Sequence, residues 1–586
     1  MTLQNSPMED RRTALAIFLC IIVVMMYSEL FVTPSIRQPL PKAATSSSSV
    51  PAPAAPGTVA PAAPIAGAAG SPAAPLPVPG RSAATVSELA SHPTIRIESA
   101  DITAEITQLG VRLSHFRLKN YRRTVESTEP LDMVVAADDG LLPLGIYSGD
   151  FSDALVPYTL QSASLPATDG VYSISGEREL KLVFQGTFPG GAPITKTITF
   201  APKTHLFTVE ARLASAVPTG APLALEWVHF TPGADALQQV DQPSFVMLDS
   251  ANKIQTVYLA DLEPLENPAT VVLKPAGRGS WLAFADRYFL SALIAPEGDA
   301  PLQYGRQGDQ FITRVRGGEL STAVTLFVGP KSYEDLKDVG FQLHRSIDLG
   351  WFSFLAHPLL AALRFFYGLL GNWGLAIILL TLVIKAAFLP LTKASFNSMQ
   401  AMQELQPEIK ALRDRITDPT QLNREMMELY KRKGVNPMGG CLPVLVQIPV
   451  FLGLYNALLN SIELRHAPFA LWINDLSSPE HLDVFGIGVP VMVLIMGASM
   501  FIQQWTTPTT MDPAQKKIFM LMPVIFTVSF IIFPFPAGLV LYWLVNNLIS
   551  IIQQVYLRSE IKASPLKATA LASLGIFAFG FVLTLI

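Results

Sequence analysis

Lys385 sits in NWGLAIILLTLVIKAAFLPLT, residues 372–392, a run about as long as the roughly 20 residues a helix needs to cross a bilayer. A charge at the centre of such a helix costs about 2.5 to 3.5 kcal/mol on insertion scales, so it faces a partner, a wet cavity or the nearer interface. Lys385 is about 9 Å of helix rise from Leu391, close enough to snorkel to that interface. The alternative is a cation kept in a polar cavity inside the membrane. Thr381 lies one turn earlier on the same face, and no acidic residue occurs in any later apolar stretch to neutralise the lysine, which favours the cavity.

Later apolar stretches carry further hydrogen-bonding side chains. Gln447 and Asn456 fall in 441–462, and in 536–555 Trp543, Asn547, Ser550 and Gln554 share one helical stripe with Tyr542 and Asn546 beside it. Polar groups in hydrocarbon need partners or water, which leaves two arrangements open: hydrogen bonds that join helix to helix, or polar faces turned with Lys385 toward one hydrated groove. Either way the chemistry is attraction and hydrogen bonding. His92, His115, His205 and His229 are scattered without metal spacing, and Cys20 and Cys441 supply neither a disulfide framework nor a zinc site. No GxxxxGK[ST] nucleotide loop occurs. No catalytic residue, metal or cofactor is expected, and the net charge of −4 gives no nucleic-acid footprint.

The elements that position these residues follow from composition and period. The 586 residues, 50% hydrophobic and 15% charged, are too many for one ordinary domain and too apolar for a wholly soluble chain. Residues 1–12 end on Arg11 and Arg12 and precede the apolar run 13–32. That run is long for a signal-peptide core and lacks a small-x-small site, so it reads as a retained first span with the N-terminus in the cytosol. Residues 33–92, rich in Pro and Ala, bury too little apolar surface to order themselves and form a tether.

From 93 to 340, segments such as IRIESADITAEIT, ELKLVFQGTF, PITKTITF, HLFTVEARL and STAVTLFVG alternate with period two between turn residues, the pattern of an antiparallel β-sandwich. Residues 350–370, crowded with aromatics and interrupted by His357 and Arg364, suit an interfacial helix. The second span, 372–392, leads to the charged stretch 393–440, which reads as a helical hairpin. Met399, Met402, Leu405, Ile409, Leu412 and Ile416 form one amphipathic helix, Asp418-Pro419 the turn, and Leu422, Met426, Leu429 and Tyr430 begin the next. Its outer charges are a solvated face or a docking surface. Further spans are expected at 441–462, 485–505, 518–533 and 536–555, joined by loops 463–484 and 506–517. The basic 393–440 and Lys516 with Lys517, set against the acidic 463–484, place the hairpin in the cytosol and the β-domain outside it. Residues 556–567 read as a basic cytosolic segment, and the apolar 568–586 as a seventh span or an interfacial helix.

The stretches GNWGLAIILLTLVIKAAFLPLTKASFNSM, LQPEIKALRDR, EMMELYKRKGVNPMGGCLPVLVQIPVFLGLY, ELRHAPFALWINDLS, PVIFTV and GLVLYW with NNLISIIQQ cover nearly all of 350–556 in order. They resemble the membrane insertase family of bacterial YidC and the Oxa-type proteins of mitochondria and chloroplasts. WLAFADRYFLSALI and FVGPKSYEDL carry a weaker match in the β-domain, of the Gram-negative type. The resemblance implies a polytopic α-helical inner-membrane protein, with a five-helix insertase core and an N-terminal anchor span, bearing a large periplasmic β-super-sandwich domain similar to galactose mutarotases. It implies insertion and chaperoning of nascent membrane proteins, alone or with the SecYEG translocon and its accessory subunits, in contact with membrane lipids. The 393–440 hairpin would meet ribosome or signal-recognition components.

By the same resemblance Lys385 stands where the family groove carries its positive residue, an arginine in many relatives. Thr381 matches the polar neighbour and Tyr542 with Trp543 the aromatic pair; Gln447 and Asn547, read from the polar faces alone, are expected to line the same groove. Ile448, Pro449, Phe451, Phe530 and Phe533 match positions along which a client slides. Two departures stand out: FPFPAG carries what reads as an extra Phe-Pro, and the apolar 568–586 replaces a basic tail. The alternative is a small-solute transporter with a sugar-binding outer domain; that would call for inverted repeats with broken helices, and no internal repeat is visible.

Overall fold

The computed structural model describes residues 92–135, 141–202, 205–217, 220–231, 243–259, 262, 271–436, 442–507, 513–558 and 565–585. The expected N-terminal span 13–32 and the tether up to residue 91 lie outside these. The alternating segments form strands. In Pro193–Phe200, residues Ile194, Lys196, Ile198 and Phe200 are buried while the threonines between them are half-buried. This strand pairs antiparallel with Leu180–Thr187 on one side and Leu206–Leu213 on the other. A five-stranded and a fourteen-stranded sheet result, and they share one apolar core that contains Phe116 and Leu118 of the first and Phe200, Phe207 and Trp227 of the second. Side chains of period two that point inward from both sheets are what a sandwich needs.

Lys196 occupies a core position of that strand and is fully buried. Its Nζ donates to Asp153 Oδ2 (3.0 Å), Gly110 O (2.8 Å) and Leu144 O (2.6 Å), while Arg112 Nη2 donates to Asp153 Oδ1 (2.8 Å). The four sequence-flagged histidines stay apart. His115 pairs with Asp132 at 2.6 Å, His205 lies edge-on to Phe327, and His229 stacks on Phe284 at 4.3 Å.

Among the described residues the strands are followed by helices α1 (Tyr333–Val339), α2 (Ser353–Leu370), α3 (Trp373–Ala387), α4 (Leu389–Glu404), α5 (Gln406–Arg415), α6 (Pro419–Lys433), α7 (Leu442–Leu459), α8 (Val491–Thr506), α9 (Pro513–Ile532), α10 (Ala537–Arg558) and α11 (Pro565–Leu585). A second apolar core draws Leu360 from α2, Ile377 from α3, Leu454 from α7, Met496 from α8 and Leu541 from α10, with Ile576 and Phe577 of α11 packed against it. By length and composition α2 and Ala537–Leu557 could each cross a bilayer, as could α3 and α4 taken as one bent pair.

Several boundaries differ from the sequence expectation. The segment 372–392 is not one straight helix: it bends by 58° at Phe388, between α3 and α4. Pro390 is the cause, because it lacks an N–H and its ring clashes with the carbonyl four residues back. Pro407 likewise divides the expected helix from Met399 to Ile416 into α4 and α5. Leu405, Ile409 and Leu429 then close the hairpin's own small core. The span expected from 485 begins at Val491, since Leu482–Val484 and Ile487–Val489 pair as a β-hairpin. The helix expected at 518–533 is longer at its start, from Pro513.

Candidate functional site

Asn372 caps α3: its side-chain oxygen accepts from Leu375 N (3.0 Å) while its amide donates to Phe469 O (3.0 Å). The cap fixes where α3 starts and so the height of everything along it. Gly374 is obligatory beside it, because a Cβ there would meet the Phe469 ring at 2.0 Å. Eleven residues past Gly374, Lys385 falls in the last turn of α3 rather than two-thirds of the way along a longer span.

Lys385 is 8% exposed. Its Nζ donates to Ser550 Oγ of α10 at 2.8 Å, and Ser550 donates in turn to Asn546 O at 2.8 Å. The Asn546 side chain accepts from Gln447 Nε2 of α7 at 2.8 Å. A polar line thus runs from α3 through α10 to α7. Among the described residues no carboxylate comes within ion-pairing distance of Lys385, so its charge is met by dipoles alone. Thr381 is 1% exposed, but its hydroxyl donates back to Ile377 O at 2.7 Å instead of reaching the lysine.

Tyr542 and Trp543 stand side by side on α10 with different surroundings. Tyr542 is buried, and its hydroxyl, neighboured by Gln447, completes no hydrogen bond of ordinary geometry. Trp543 is half-buried, with Phe451 edge-on at 5.1 Å and Phe530 edge-on at 5.3 Å. Phe530 also stacks on Phe535 at 4.4 Å. Of the expected slide, then, Phe451 and Phe530 converge on Trp543. Ile448 and Phe533 lie on the surface, 43% and 67% exposed, and Pro449 is half-buried inside α7.

Asn547 does not join the lysine. Its amide donates to Ser499 Oγ of α8 at 3.1 Å, and Gln554 accepts from Thr506 Oγ1 at 2.7 Å, so these two bind α10 to α8. The stripe read from the sequence is therefore divided: Ser550 serves Lys385, and Asn547 and Gln554 serve helix packing. Gln553, three residues past Ser550, was missed. It is 3% exposed and neither its amide nitrogen nor its carbonyl oxygen has a partner. A glutamine in the last turn of an apolar run carries no sequence signal that separates it from Gln554.

Together these elements define an integral membrane protein: a helical core with a buried, unneutralised cation on a polar line, carrying a large sheet domain. Family models agree on both halves. "YidC periplasmic domain" matches residues 94–362 and "60Kd inner membrane protein" matches residues 365–564. The chain is 35% identical over 565 residues to the membrane protein insertase YidC of Pelobacter propionicus, covering 94% of this chain and 99% of that one. It is 37% identical to that of Geobacter metallireducens, over 95% of this chain and 100% of the relative. A crystal structure of a YidC insertase is 16% identical, with a TM-score of 0.33, over 78% of this chain and 93% of that one. The chain belongs to the YidC family of membrane protein insertases. The solute-transport alternative finds no support among these relatives.

Proposed function

We propose that the chain inserts other proteins into the inner membrane by drawing their polar ends to Lys385 and releasing their apolar segments past Trp543. The observation that carries this reading is the burial of the Lys385 ammonium with a serine hydroxyl and, among the described residues, no carboxylate for company. An ammonium has three donors and one is used. An acidic side chain of a client would supply both the missing charge and the missing acceptors. The unbonded buried amide of Gln553 supports a wet interior, since buried polar groups are satisfied by protein or by water. Polar segments then cross less hydrocarbon, which lowers the barrier to their transfer.

Phe451, Phe530 and Trp543, with Ile448 and Phe533 at the surface, form the apolar flank along which a hydrophobic span leaves for lipid. The step makes and breaks no covalent bond, and its driving force is the partition of the client, aided by the membrane potential at about 2.3 kcal/mol per charge per 100 mV. In this reading the β-domain is periplasmic and the α4 to α6 hairpin cytosolic, where it meets the ribosome or targeting factors. The Sec translocon and its subunits act beside it. Helix α2 lies along the outer interface, which its Arg364 pairs with Glu334 of α1 and with Glu463 support. Helix α11 crosses the membrane: Pro565 follows the far end of α10, whereas Gly580 lies against Ile378 and Leu375 near the start of α3.

Lys385→Glu tests the electrostatic step. Protease protection in inverted vesicles should show reduced insertion of clients with acidic translocated tails and little change for clients with neutral tails. Equal insertion of acidic tails by the variant and the parent would remove Lys385 from the mechanism.

A further inference from the structure

The turn between Leu482–Val484 and Ile487–Val489 consists of Phe485 and Gly486, both at positive φ (55° and 80°). Glycine takes that conformation freely; phenylalanine does so at a cost, and asparagine is the residue that usually accompanies glycine there. Asp483 Oδ1 accepts from Gly486 N at 2.7 Å and locks the turn. Phe485 is held in this unfavourable backbone with its side chain fully exposed, at 102%. The register pairs Leu482 with Val489 and Val484 with Ile487, so these four side chains share one face, while Asp483 and Gly488 share the other. Leu482 and Val489 at the base are half-buried, but Val484 and Ile487 are exposed, Ile487 at 68%.

The result is an amphipathic two-stranded ribbon whose apolar face has, among the described residues, no protein over its outer half. A lone hairpin is marginal in water unless such a face is covered. Its location names the cover. The ribbon's base leads through Pro490 into α8, and Glu480, just before it, accepts from Met492 N at the helix start. Leu494, Ile495, Phe501 and Ile502 of α8 are exposed as well. At the preceding end of the loop, Leu459 O accepts from Arg287 Nε and Arg465 donates to Arg123 O, both in the β-domain, which fixes the side of the membrane on which the ribbon stands.

We infer that the 482–489 hairpin is a lipid anchor: its apolar face, tipped by Phe485, seats in the interfacial layer of the leaflet on the β-domain side, beside α8. This rests on α8 being a membrane span but not on the role of Lys385. A phenylalanine at the turn is retained because the ring gains in lipid what the backbone loses.

The test uses the full chain with Cys20→Ser and Cys441→Ser, reconstituted in phosphatidylcholine vesicles. An environment-sensitive fluorophore is placed at Phe485→Cys or, as an aqueous reference, at Arg212→Cys, whose side chain is 74% exposed on the β-domain. Brominated lipids should quench the label at 485 and not at 212, and iodide should quench 212 several-fold more than 485. Equal iodide quenching at the two sites with no bromolipid effect would overturn the proposal, as would a water-shielded label at 485 that bromolipids do not quench, which marks a protein cover. Phe485→Asn separates anchoring from folding, because asparagine suits the turn better than phenylalanine. With the label at Ile487→Cys, Phe485→Asn should weaken bromolipid quenching several-fold at unchanged circular dichroism; undiminished quenching would show that Phe485 does not hold the ribbon down. An insertion defect in Lys385→Glu leaves all of these readouts where they were.

Discussion

At the scale of single residues, the fold tolerates buried polar groups in two ways. In the β-domain Asp153 is neutralised by both Lys196 and Arg112, whereas in the helical core Lys385 has, among the described residues, only Ser550. Breaking a buried pair by deleting one partner typically costs about 3 to 5 kcal/mol, so the first arrangement is structural. The second leaves an attraction unspent. His229 shows the same contrast with solvent. Burial against Phe284 holds its imidazole down at about 3, from an ordinary 6.5. Between those values the unfolded chain binds a proton that the folded domain refuses, so stability is full above pH 6.5 and is lost as pH falls toward 3, by about 1.4 kcal/mol per unit. Urea midpoints at pH 7 and pH 5 should therefore drop more for the parent than for His229→Phe; matching drops would show that His229 does not govern the acid response. Lys385 was legible from sequence because a charge in an apolar run is rare and costly. Ser550 was legible only as one of four stripe residues, since nothing in period 3.6 says which neighbour each will face.

At the scale of elements, helix starts and bends decide where the site residues lie. Pro390 bends the α3–α4 pair at Phe388, one residue past the end of α3, so Lys385 lies in the last turn of a shorter helix and not two-thirds of the way along one span over 372–392. The signal was in the text, an X-Pro step inside a helical run. Glu480 had no such signal: it counted only as one of several loop charges. Folding brings its carboxylate to Trp472 Nε1 (2.7 Å) and to the backbone N–H groups of Met492 and Val493 at the start of α8. Its side chain thus joins residues 8 and 13 positions away, a pairing set by loop geometry. Glu480→Ala should cost about 1 to 3 kcal/mol, the penalty for leaving buried donors unpaired. Hydrogen exchange at Met492 and Val493 should rise while that of α10 stays unchanged; unaltered exchange at both amides would show that the cap is dispensable.

At the scale of the whole molecule, the period-two and apolar-run patterns made both halves readable, but not the piece that joins them. The 3-10 turn Ile462–Leu464 places Ile462 in the β-domain core and Leu464 in the helical core. Between them Glu463 accepts from Arg364 of α2 at 2.7 Å. Alternate apolar residues in a short loop look like nothing in the sequence, because the two cores they enter are distant along the chain. Ile462→Ala should lower the thermal midpoint of the β-domain, at about 2 to 4 kcal/mol for a large-to-small core change, although the residue is remote from it in sequence. An unchanged β-domain transition would mean the plug carries no load. The last helix has a consequence of its own. With α11 laid over α3 and α10, that face of the bundle is covered, whereas Ile448 of α7 and Phe533, just past the end of α9, stand open. On the proposed route, newly made spans would leave only where α11 does not cover the bundle, and a helper that receives them would have that one sector of the membrane in which to wait.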